Sequence, residues 1–324
     1  MAGVVVAAVL SIVFVSQQQV AIGKPAVHRI GFLGFRPLPE FELAVSRLRA
    51  GLQDLGHVEG KDYVLLVRLD DDNPHRNPAV IRELTGAKVK LIVAASVPAA
   101  VAIHQTNPLM PVVIAQGDDI VASKLANSVE RPGGFATGLE ELKPGMTDKR
   151  LRLLKQAQPA ISRIAILSPT ATESGHALQY REAEQTAAAI GLKLRSYRVS
   201  AASDFDEVLD AVVRDGAQGL LVFNGSLPLP IQLRIVHFAA EHRLPAMYAS
   251  DQFVTAGGLM SYGADEPERF RLAAALVDRI LKGAKPADLP LTYDPELRLI
   301  VNQDAAERIG LTLPKSFVAA MVSK

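Results

Sequence analysis

The sequence predicts an α/β protein of two Rossmann-like lobes, each with a parallel sheet flanked by helices. Its 324 residues are too many for one typical domain and suit two domains of about 150 residues each. Apolar strand-like runs alternate with helix-like segments, which is typical of parallel sheets covered by helices. A strand-helix-strand pattern in the first half recurs in the second half, so we expect two similar lobes.

The N-terminal segment differs from the rest of the chain. Residues 4–15 form an almost uninterrupted apolar run, and small residues follow at Ala21 and Gly23. The run is shorter than the roughly 20 residues of a membrane-spanning helix, and its pattern is typical of a secretory signal. We therefore expect residues 1–23 to be a signal peptide or N-terminal hydrophobic segment, and the protein to be periplasmic, either free or held by an uncleaved N-terminus. The alternative is a buried or disordered N-terminal extension.

The first strand-helix-strand unit begins at residue 28. Residues 28–33 (HRIGFL) have the composition of a buried strand, and the helix that follows carries apolar residues at steps of three and four. These residues are Val45, Leu48, Leu52 and Leu55. Gly56 suits the left-handed cap that ends a helix, and residues 63–69 form the next strand-like run.

The second half repeats this unit. Residues 163–168 (RIAILS) form a strand-like run, and the next helix has apolar residues at the same steps, namely Tyr180, Ala183, Ala187 and Ile190. Gly191 ends this helix as Gly56 ends the first, and residues 192–199 form the following strand. The repeat predicts that both lobes share one order of elements.

The correspondence continues further along the chain. Residues 90–95 (KLIVAA) match residues 219–224 (GLLVFN), and residues 110–114 (MPVVI) match residues 244–248 (LPAMY). Each of these runs is short, apolar and bounded by turn-forming residues, which is typical of strands buried on both faces.

Composition and motifs exclude several classes of protein. The net charge of +1 argues against a nucleic-acid partner, and the lack of cysteine excludes thiol nucleophiles, disulfides and Cys-ligated metals. No phosphate-binding loop, dinucleotide fingerprint, zinc motif or nucleophile elbow occurs, and His237 and His242 are five residues apart, the wrong spacing for one helix face. We therefore expect no catalytic residues, no metal and no cofactor.

The expected binding site lies between the lobes. Ligands of open parallel sheets bind outside the carboxyl ends of the strands, so two facing lobes form a cleft lined by those ends. The candidate ligand-binding residues are Phe35, Arg36, Ser96, Gln116, Asp118, Ser168, Thr170, Asn224, Ser226, Tyr248 and Asp251.

Two of these candidates suggest a charged solute. Ser96 precedes Val97 and Pro98, so its hydroxyl and a helix N-terminus could face a carboxylate, although Ser96 is equally well read as a plain helix cap. Asp118 or Asp119 could hold an ammonium group, while the other caps a helix.

The remaining candidates offer neutral or flat surfaces. Asn224 and Ser226 supply uncharged donors and acceptors, and Tyr248 and Phe35 could form flat apolar walls for a solute. Arg36 could pair with a carboxylate, although a lone loop arginine is more often a solvated surface charge.

Three stretches resemble a known family. Residues 132–139 (PGGFATGL), 256–263 (AGGLMSYG) and 277–290 (VDRILKGAKPADLP) look like the ABC-transporter substrate-binding protein family that includes tryptophan- and tyrosine-type binders. The resemblance covers nearly all of the chain after about residue 28. It implies a type I periplasmic-binding fold with three crossovers, closure on a small solute, and delivery of that solute by a monomer to a membrane permease.

The resemblance also implies where the chain passes between lobes. Crossovers are expected near residues 137–142, 248–251 and 286–291. Lobe 1 would then comprise residues 28–138 plus 260–287, and lobe 2 residues 142–250 plus 288–324.

Two loops depart from the family pattern. Residues 96–100 are similar to the family's Thr/Ser-Pro-Ala-Ala loop with Val97 inserted before the proline, and residues 117–119 (GDD) replace a Gly-Asp-Pro turn. Losing that proline frees a backbone N–H and loosens φ. An amino acid or related small carboxylate is the expected solute, but aromatic specificity is not implied, since the chain has no tryptophan.

Other functions remain open from the sequence. The chain could be a sensing subunit whose closure is detected by a membrane receptor kinase. An enzyme of the racemase or hydrolase class on the same fold is a weaker alternative, because the histidines do not fall at the expected strand ends. A DNA-binding regulator is disfavoured because no helix-turn-helix precedes residue 28.

Overall fold

The computed structural model describes residues 27–34, 38–69, 78–117, 120–169, 177–199, 205–223, 227 and 229–322. Strands in these ranges are β1 (His28–Gly34), β2 (Tyr63–Leu69), β3 (Leu91–Ala94), β4 (Val112–Gly117), β5 (Ala136–Glu140), β6 (Arg163–Pro169), β7 (Lys193–Val199), β8 (Gly219–Val222), β9 (Ala246–Tyr248), β10 (Met260–Ala264), β11 (Thr292–Tyr293), β12 (Leu297–Asn302) and β13 (Met321–Val322). Helices are α1 (Leu38–Asp54), α2 (Pro78–Gly86), α3 (Val97–Thr106), α4 (Met146–Ala157), α5 (Ala177–Ile190), α6 (Phe205–Arg214), α7 (Leu229–Glu241), α8 (Gln252–Thr255), α9 (Glu266–Leu281) and α10 (Gln303–Arg308), with short 3₁₀ turns at Pro286–Asp288 and Lys315–Ala320.

The first sheet contains six strands in the order β11-β5-β4-β3-β1-β2, and all its pairings are parallel. Successive residues of a strand point to opposite faces, so both faces must be covered by helices. Leu91 and Val93 pack with α1 and α9, whereas Ile92 and Ala94 pack with α2 and α3.

The second sheet contains seven strands in the order β13-β12-β10-β9-β8-β6-β7. Its pairings are parallel except for that of β10 with β12, which is antiparallel. Ile164 and Ile166 face α4, α5 and α10, and Ala165 and Leu167 face α6 and α7. Each lobe therefore has three layers, with a buried sheet between two layers of helices.

The duplication predicted from the sequence is confirmed. The order β5-β4-β3-β1-β2 in the first sheet recurs as β10-β9-β8-β6-β7 in the second. Gly56 (φ 86°) and Gly191 (φ 69°) both adopt the left-handed conformation expected of helix caps. Leu55 is an exception to the predicted helix face, because it lies beyond the end of α1 and is 44% exposed.

The chain passes between the two sheets three times within the described residues, and two of these passages differ from the expected positions. β10 pairs with β9 (Met260 with Met247), so residues 260–264 belong to the second sheet rather than to lobe 1. β11 pairs with β5, so residues 292–293 belong to the first sheet rather than to lobe 2. The crossovers are thus residues 141–145, 265 and 294–296, because the duplicated unit includes one more strand than the sequence pattern indicated.

The expected signal segment, residues 1–23, lies outside the described residues. Across the ranges that the structure describes, no helix has the length and apolar character needed to cross a membrane.

Candidate functional site

Ser96 joins the carboxyl end of β3 to α3. Its backbone is extended (φ −153°, ψ 167°), and its Oγ accepts a hydrogen bond from the N–H of Ala99 at 3.4 Å. Pro98 lies in the first turn of the helix, as the sequence indicated. The helix-cap reading of Ser96 therefore holds, but a hydroxyl that accepts one bond still has its own O–H to donate.

Gln116 lies at a bulge near the end of β4. Ile114 pairs with Gly138 and Gly117 with Glu140, so three steps on β4 correspond to two on β5. A bulge redirects the side chains around it and is frequent beside binding sites. Gln116 is partly exposed there, at the carboxyl end of the sheet.

Glu140 is a buried carboxylate that the sequence reading missed. It is 4% exposed at the end of β5, where Oε2 accepts from the N–H of Ile120 at 2.9 Å and Oε1 from that of Glu141 at 3.2 Å. Two backbone donors offset much of the cost of burying the charge. Glu140 thereby holds the backbone of Ile120 beside the start of the first crossover.

The two candidates at the ends of β6 and β9 are buried. Ser168 is 3% exposed, and Tyr248 is fully buried among the core residues that face α6 and α7. The ring of Tyr248 stacks on Phe253, with centroids 4.6 Å apart. Strand alternation places Met247 on the opposite face of the sheet, so in this conformation Tyr248 is a core residue rather than a wall facing solute.

Burial also affects the phenol of Tyr248. Its hydroxyl has no hydrogen-bond partner among the described residues, and burial raises the pKa of Tyr248 well above its ordinary value. The phenol is therefore neutral at physiological pH.

Asp251 follows β9 and precedes α8. Burial raises the pKa of Asp251, and the nearby carboxylate of Asp265 raises it further. A cavity of about 20 Å³ adjoins it, lined by Asp251, Ser261, Gly263, Ala264, Asp265, Arg298 and Ile300. Such a volume holds about one water molecule. Asp251 is thus a partly desolvated carboxyl group at a strand end of the second lobe.

Six of the candidate residues lie outside the described residues: Phe35, Arg36, Asp118, Thr170, Asn224 and Ser226. Their roles remain predictions from the sequence.

Two buried amides at the carboxyl edge of the second sheet were not singled out from the sequence. Gln179 on α5 is 1% exposed, and neither of its amide atoms has a hydrogen-bond partner among the described residues. Gln232 on α7 donates from Nε2 to the carbonyl of Leu227 at 2.8 Å, while its Oε1 has no such partner. Both lie in the first turns of helices that follow β6 and β8, near the predicted cleft. In the sequence they read as ordinary polar residues of helices.

Arg150 is a fully buried cation beside the first crossover. Its Nε donates to the carbonyl of Tyr262 at 2.8 Å and its Nη2 to that of Ala249 at 3.3 Å. Burial lowers the pKa of Arg150 to about 10, and the carboxylate of Glu141 opposes that shift. Arg150 therefore connects α4 to the ends of β9 and β10.

A larger cavity of about 780 Å³ lies away from the strand ends. It is lined by the outer surfaces of α6 and α7 together with Ala256 and Arg308, and its charged residues include Asp206, Arg234 and Glu241. Because it opens on the outside of the second lobe, we do not assign it to the solute site. No cluster of three or more potential metal ligands occurs within the described ranges.

The architecture defines a two-lobed α/β protein with the type I periplasmic-binding fold. The family model for "ABC transporter substrate binding protein" matches residues 38–323, and the chain belongs to that family. This confirms the resemblance stated from the sequence and identifies the chain as an extracytoplasmic substrate-binding component of an ABC transporter, which binds a small organic molecule.

Individual relatives are distant but cover most of the chain. A tyrosine-binding protein of Clostridioides difficile is 22% identical over 273 residues, which are 84% of this chain and 78% of the relative. The crystal structure of an ABC domain in complex with L-Trp from Streptococcus pneumonia has a TM-score of 0.81 at 21% identity, covering 92% of this chain and 100% of that one. A ligand-free, open substrate-binding protein with adhesive properties from Clostridium difficile has a TM-score of 0.74 at 21% identity, with the same coverage.

Proposed function

We propose that this chain captures an amino acid, or a related small carboxylate, in the cleft between its lobes and presents it to an ABC permease from the periplasm. The observation that carries the solute class is a pair of complementary groups at strand ends of opposite lobes. Ser96 and the N-terminus of α3 offer hydrogen-bond donors and partial positive charge, and Asp251 offers a carboxylate.

This pairing fits a zwitterion. The O–H of Ser96 can donate to the solute carboxylate while its oxygen accepts from the N–H of Ala99. An ammonium group beside Asp251 would stabilise the ionised form of that side chain, which burial disfavours in the solute-free protein. Contacts made to both lobes favour the closed arrangement, since only bridging contacts change that equilibrium.

We further propose that the protein releases the solute without altering it chemically. The family is named for substrate binding, and the relatives above are named for binding tyrosine or as complexes with L-Trp.

A thermal-shift screen of amino acids and small carboxylates tests the proposal. A solute present at 100 times its dissociation constant raises the unfolding free energy by about 2.7 kcal/mol, which is readily measured. Each active compound is then compared with its decarboxylated and its deaminated analogue, for example L-tryptophan with tryptamine and indole-3-propionate. Binding of the decarboxylated analogue as tight as that of the parent would contradict the proposed role of Ser96 and α3.

A further inference from the structure

Arg269, in the first turns of α9, is a buried cation without well-made hydrogen bonds. It is 1% exposed, and its Nε and Nη1 have no hydrogen-bond partners among the described residues. Nη1 lies 3.4 Å from Oε2 of Glu141, which is an ion-pair distance, but the direction of the N–H does not make a hydrogen bond. Buried guanidinium groups are normally well bonded, so this arrangement leaves donor capacity unused.

Asp294, in the third crossover, is a buried carboxylate with one oxygen that accepts no hydrogen bond from the described residues. It is 4% exposed, its Oδ1 accepts from the N–H of Glu296 at 2.8 Å, and its Oδ2 has no hydrogen-bond partner in the described ranges. Burial raises the pKa of Asp294, the positive charge of Arg269 opposes that shift, and Asp265 and Glu296 add to it. Arg269 is therefore close enough to act on Asp294 electrostatically, without pairing with it.

Strand pairing brings the backbones of Glu141 and Asp294 close together. Tyr293 of β11 pairs with Glu140 of β5 in parallel, and Asp294 and Glu141 are the residues that directly follow these two strand ends. These residues begin the third and first crossovers, and α9 with Arg269 begins directly after the second. Arg269 therefore lies near all three connections between the lobes.

Neighbouring charges are otherwise occupied. Arg298 lies 3.3 Å from Asp265 and 3.2 Å from Glu296, and it is about half exposed. On the far side of Glu141, Arg150 is held by the carbonyls of Tyr262 and Ala249. Arg150 also acts on Glu141 electrostatically, whereas Arg269 acts on both Glu141 and Asp294.

We propose that Arg269 is a positioning residue of the hinge, which exchanges its carboxylate partner between Glu141 and Asp294 as the lobes change their relative orientation. Glu141 and Asp294 are the first residues of two crossovers, so a change of hinge angle turns the backbone at these positions and changes which carboxylate faces Arg269. A charged pair with two alternative arrangements gives two distinct hinge states rather than a continuum. The inference rests on the proposed function in that solute capture uses this hinge.

The experiment measures the hinge directly by spin labelling. The chain has no cysteine, so the double variant Ala79→Cys/Leu229→Cys carries spin labels at these two positions alone. Both positions are exposed and lie in the first turns of α2 and α7, which follow strand ends of opposite lobes. Pulsed electron resonance then gives the distribution of label distances without added solute, and again with L-tryptophan.

Asp294→Asn and Glu141→Gln each remove one alternative partner of Arg269. We expect them to shift the ratio of the two distance populations in opposite directions, by about tenfold, which is the size of a charge-assisted hydrogen bond. In an Arg269→Gln background these shifts should disappear. Asp288→Asn is the matched control, since it removes an exposed carboxylate six residues before Asp294 and should leave the ratio unchanged.

Three outcomes would overturn the inference: neither substitution shifts the ratio, both shift it in the same direction, or the shifts persist without Arg269. If Glu141→Gln fails to fold because Arg150 also faces that residue, Asp294→Asn alone with its Arg269→Gln double variant decides the matter. A lack of response of the parent protein to L-tryptophan would exclude this amino acid as the solute, and the solute-free comparison of variants is independent of that result.

Discussion

The carboxylate of Glu182 on α5 caps the N-terminus of α4 by accepting the N–H of Gly145 at 2.6 Å. Its second oxygen accepts the N–H of Thr147 at 3.1 Å. The first N–H groups of a helix have no partner within the helix, and a negative charge there is also favoured by the helix dipole. This contact fixes α4, and with it Arg150, beside the first crossover.

Glu182→Gln should therefore lower the free energy of unfolding by about 1–2 kcal/mol, because one backbone donor loses its acceptor and the favourable charge disappears. Chemical denaturation measures the loss. Glu184→Gln, an exposed change two positions along the same helix, is the control and should alter stability by less than about 0.5 kcal/mol. Equal effects of the two changes would argue against the cap.

Substitutions of Ser96 separate its capping role from a role in binding. Glycine is nearly as good as serine at a helix N-cap, whereas alanine costs about 0.5–2 kcal/mol. We expect Ser96→Gly to leave the melting temperature almost unchanged and Ser96→Ala to lower it. Both variants should bind a carboxylate solute more weakly, because both lack the O–H donor. Calorimetric titration of both variants with an active compound from the screen measures this, and unaltered affinity in Ser96→Gly would restrict Ser96 to capping.

Asp251 predicts a particular dependence of stability on pH. Its pKa in the folded protein is raised above the ordinary value of 3.8, so the folded state binds the proton more tightly than the unfolded state. Its contribution to stability is therefore largest at low pH and is lost as pH rises through the window above 3.8. Asp251→Asn should be more stable than the parent at pH 7, and the difference should shrink as pH falls towards 3.8.

Denaturation of the parent and of Asp251→Asn across this range measures the effect. Asp210→Asn, which changes an exposed carboxylate on α6, should show no such trend. A solute ammonium group at Asp251 would favour its ionised form, so affinity should fall at low pH in the parent protein and not in Asp251→Asn. A parallel fall in both proteins would place the ammonium contact elsewhere.

Gly258 is required by the packing of Tyr248. A Cβ at this position would lie 2.6 Å from Cε2 of Tyr248 and 2.7 Å from the carbonyl oxygen of Phe253. Gly258→Ala should lower stability by about 1–3 kcal/mol, because the stacked rings cannot move without disturbing the core. Gly86→Ala, where a Cβ meets nothing within 4 Å, should be neutral or slightly stabilising by thermal denaturation.

Most of the fold could be predicted because it depends on local apolar patterns. The strands around Phe32 and Ile166 are buried runs between turn signals, and the steps of three and four on α1 and α5 mark their core faces. The sheet to which β10 belongs could not be predicted in this way. Its residues suit either lobe, and its pairing with β9 and β12 is decided by contacts distant in sequence.

The candidate site was less predictable for the same physical reason. Ser96 could be found because helix caps have a local signature, whereas the orientation of Tyr248 depends on which sheet face the strand turns inwards. Arg269 and Asp294 are about 25 residues apart and come near each other because β11 pairs with β5 and α9 packs on the same sheet. Charged residues in such positions read as surface residues in the sequence, since burial of a charge is not a local property.

The late return of the chain to each sheet has a consequence for how the protein is made. Part of the helical cover on one face of the first sheet comes from α9, including Phe270, Ala273 and Val277, and the second sheet receives β12 and β13 from the last 30 residues or so. An N-terminal fragment emerging from the ribosome therefore cannot complete either core. Both lobes therefore finish folding together, after nearly the whole chain has been synthesised, whereas domains generally fold one after another from the N-terminus.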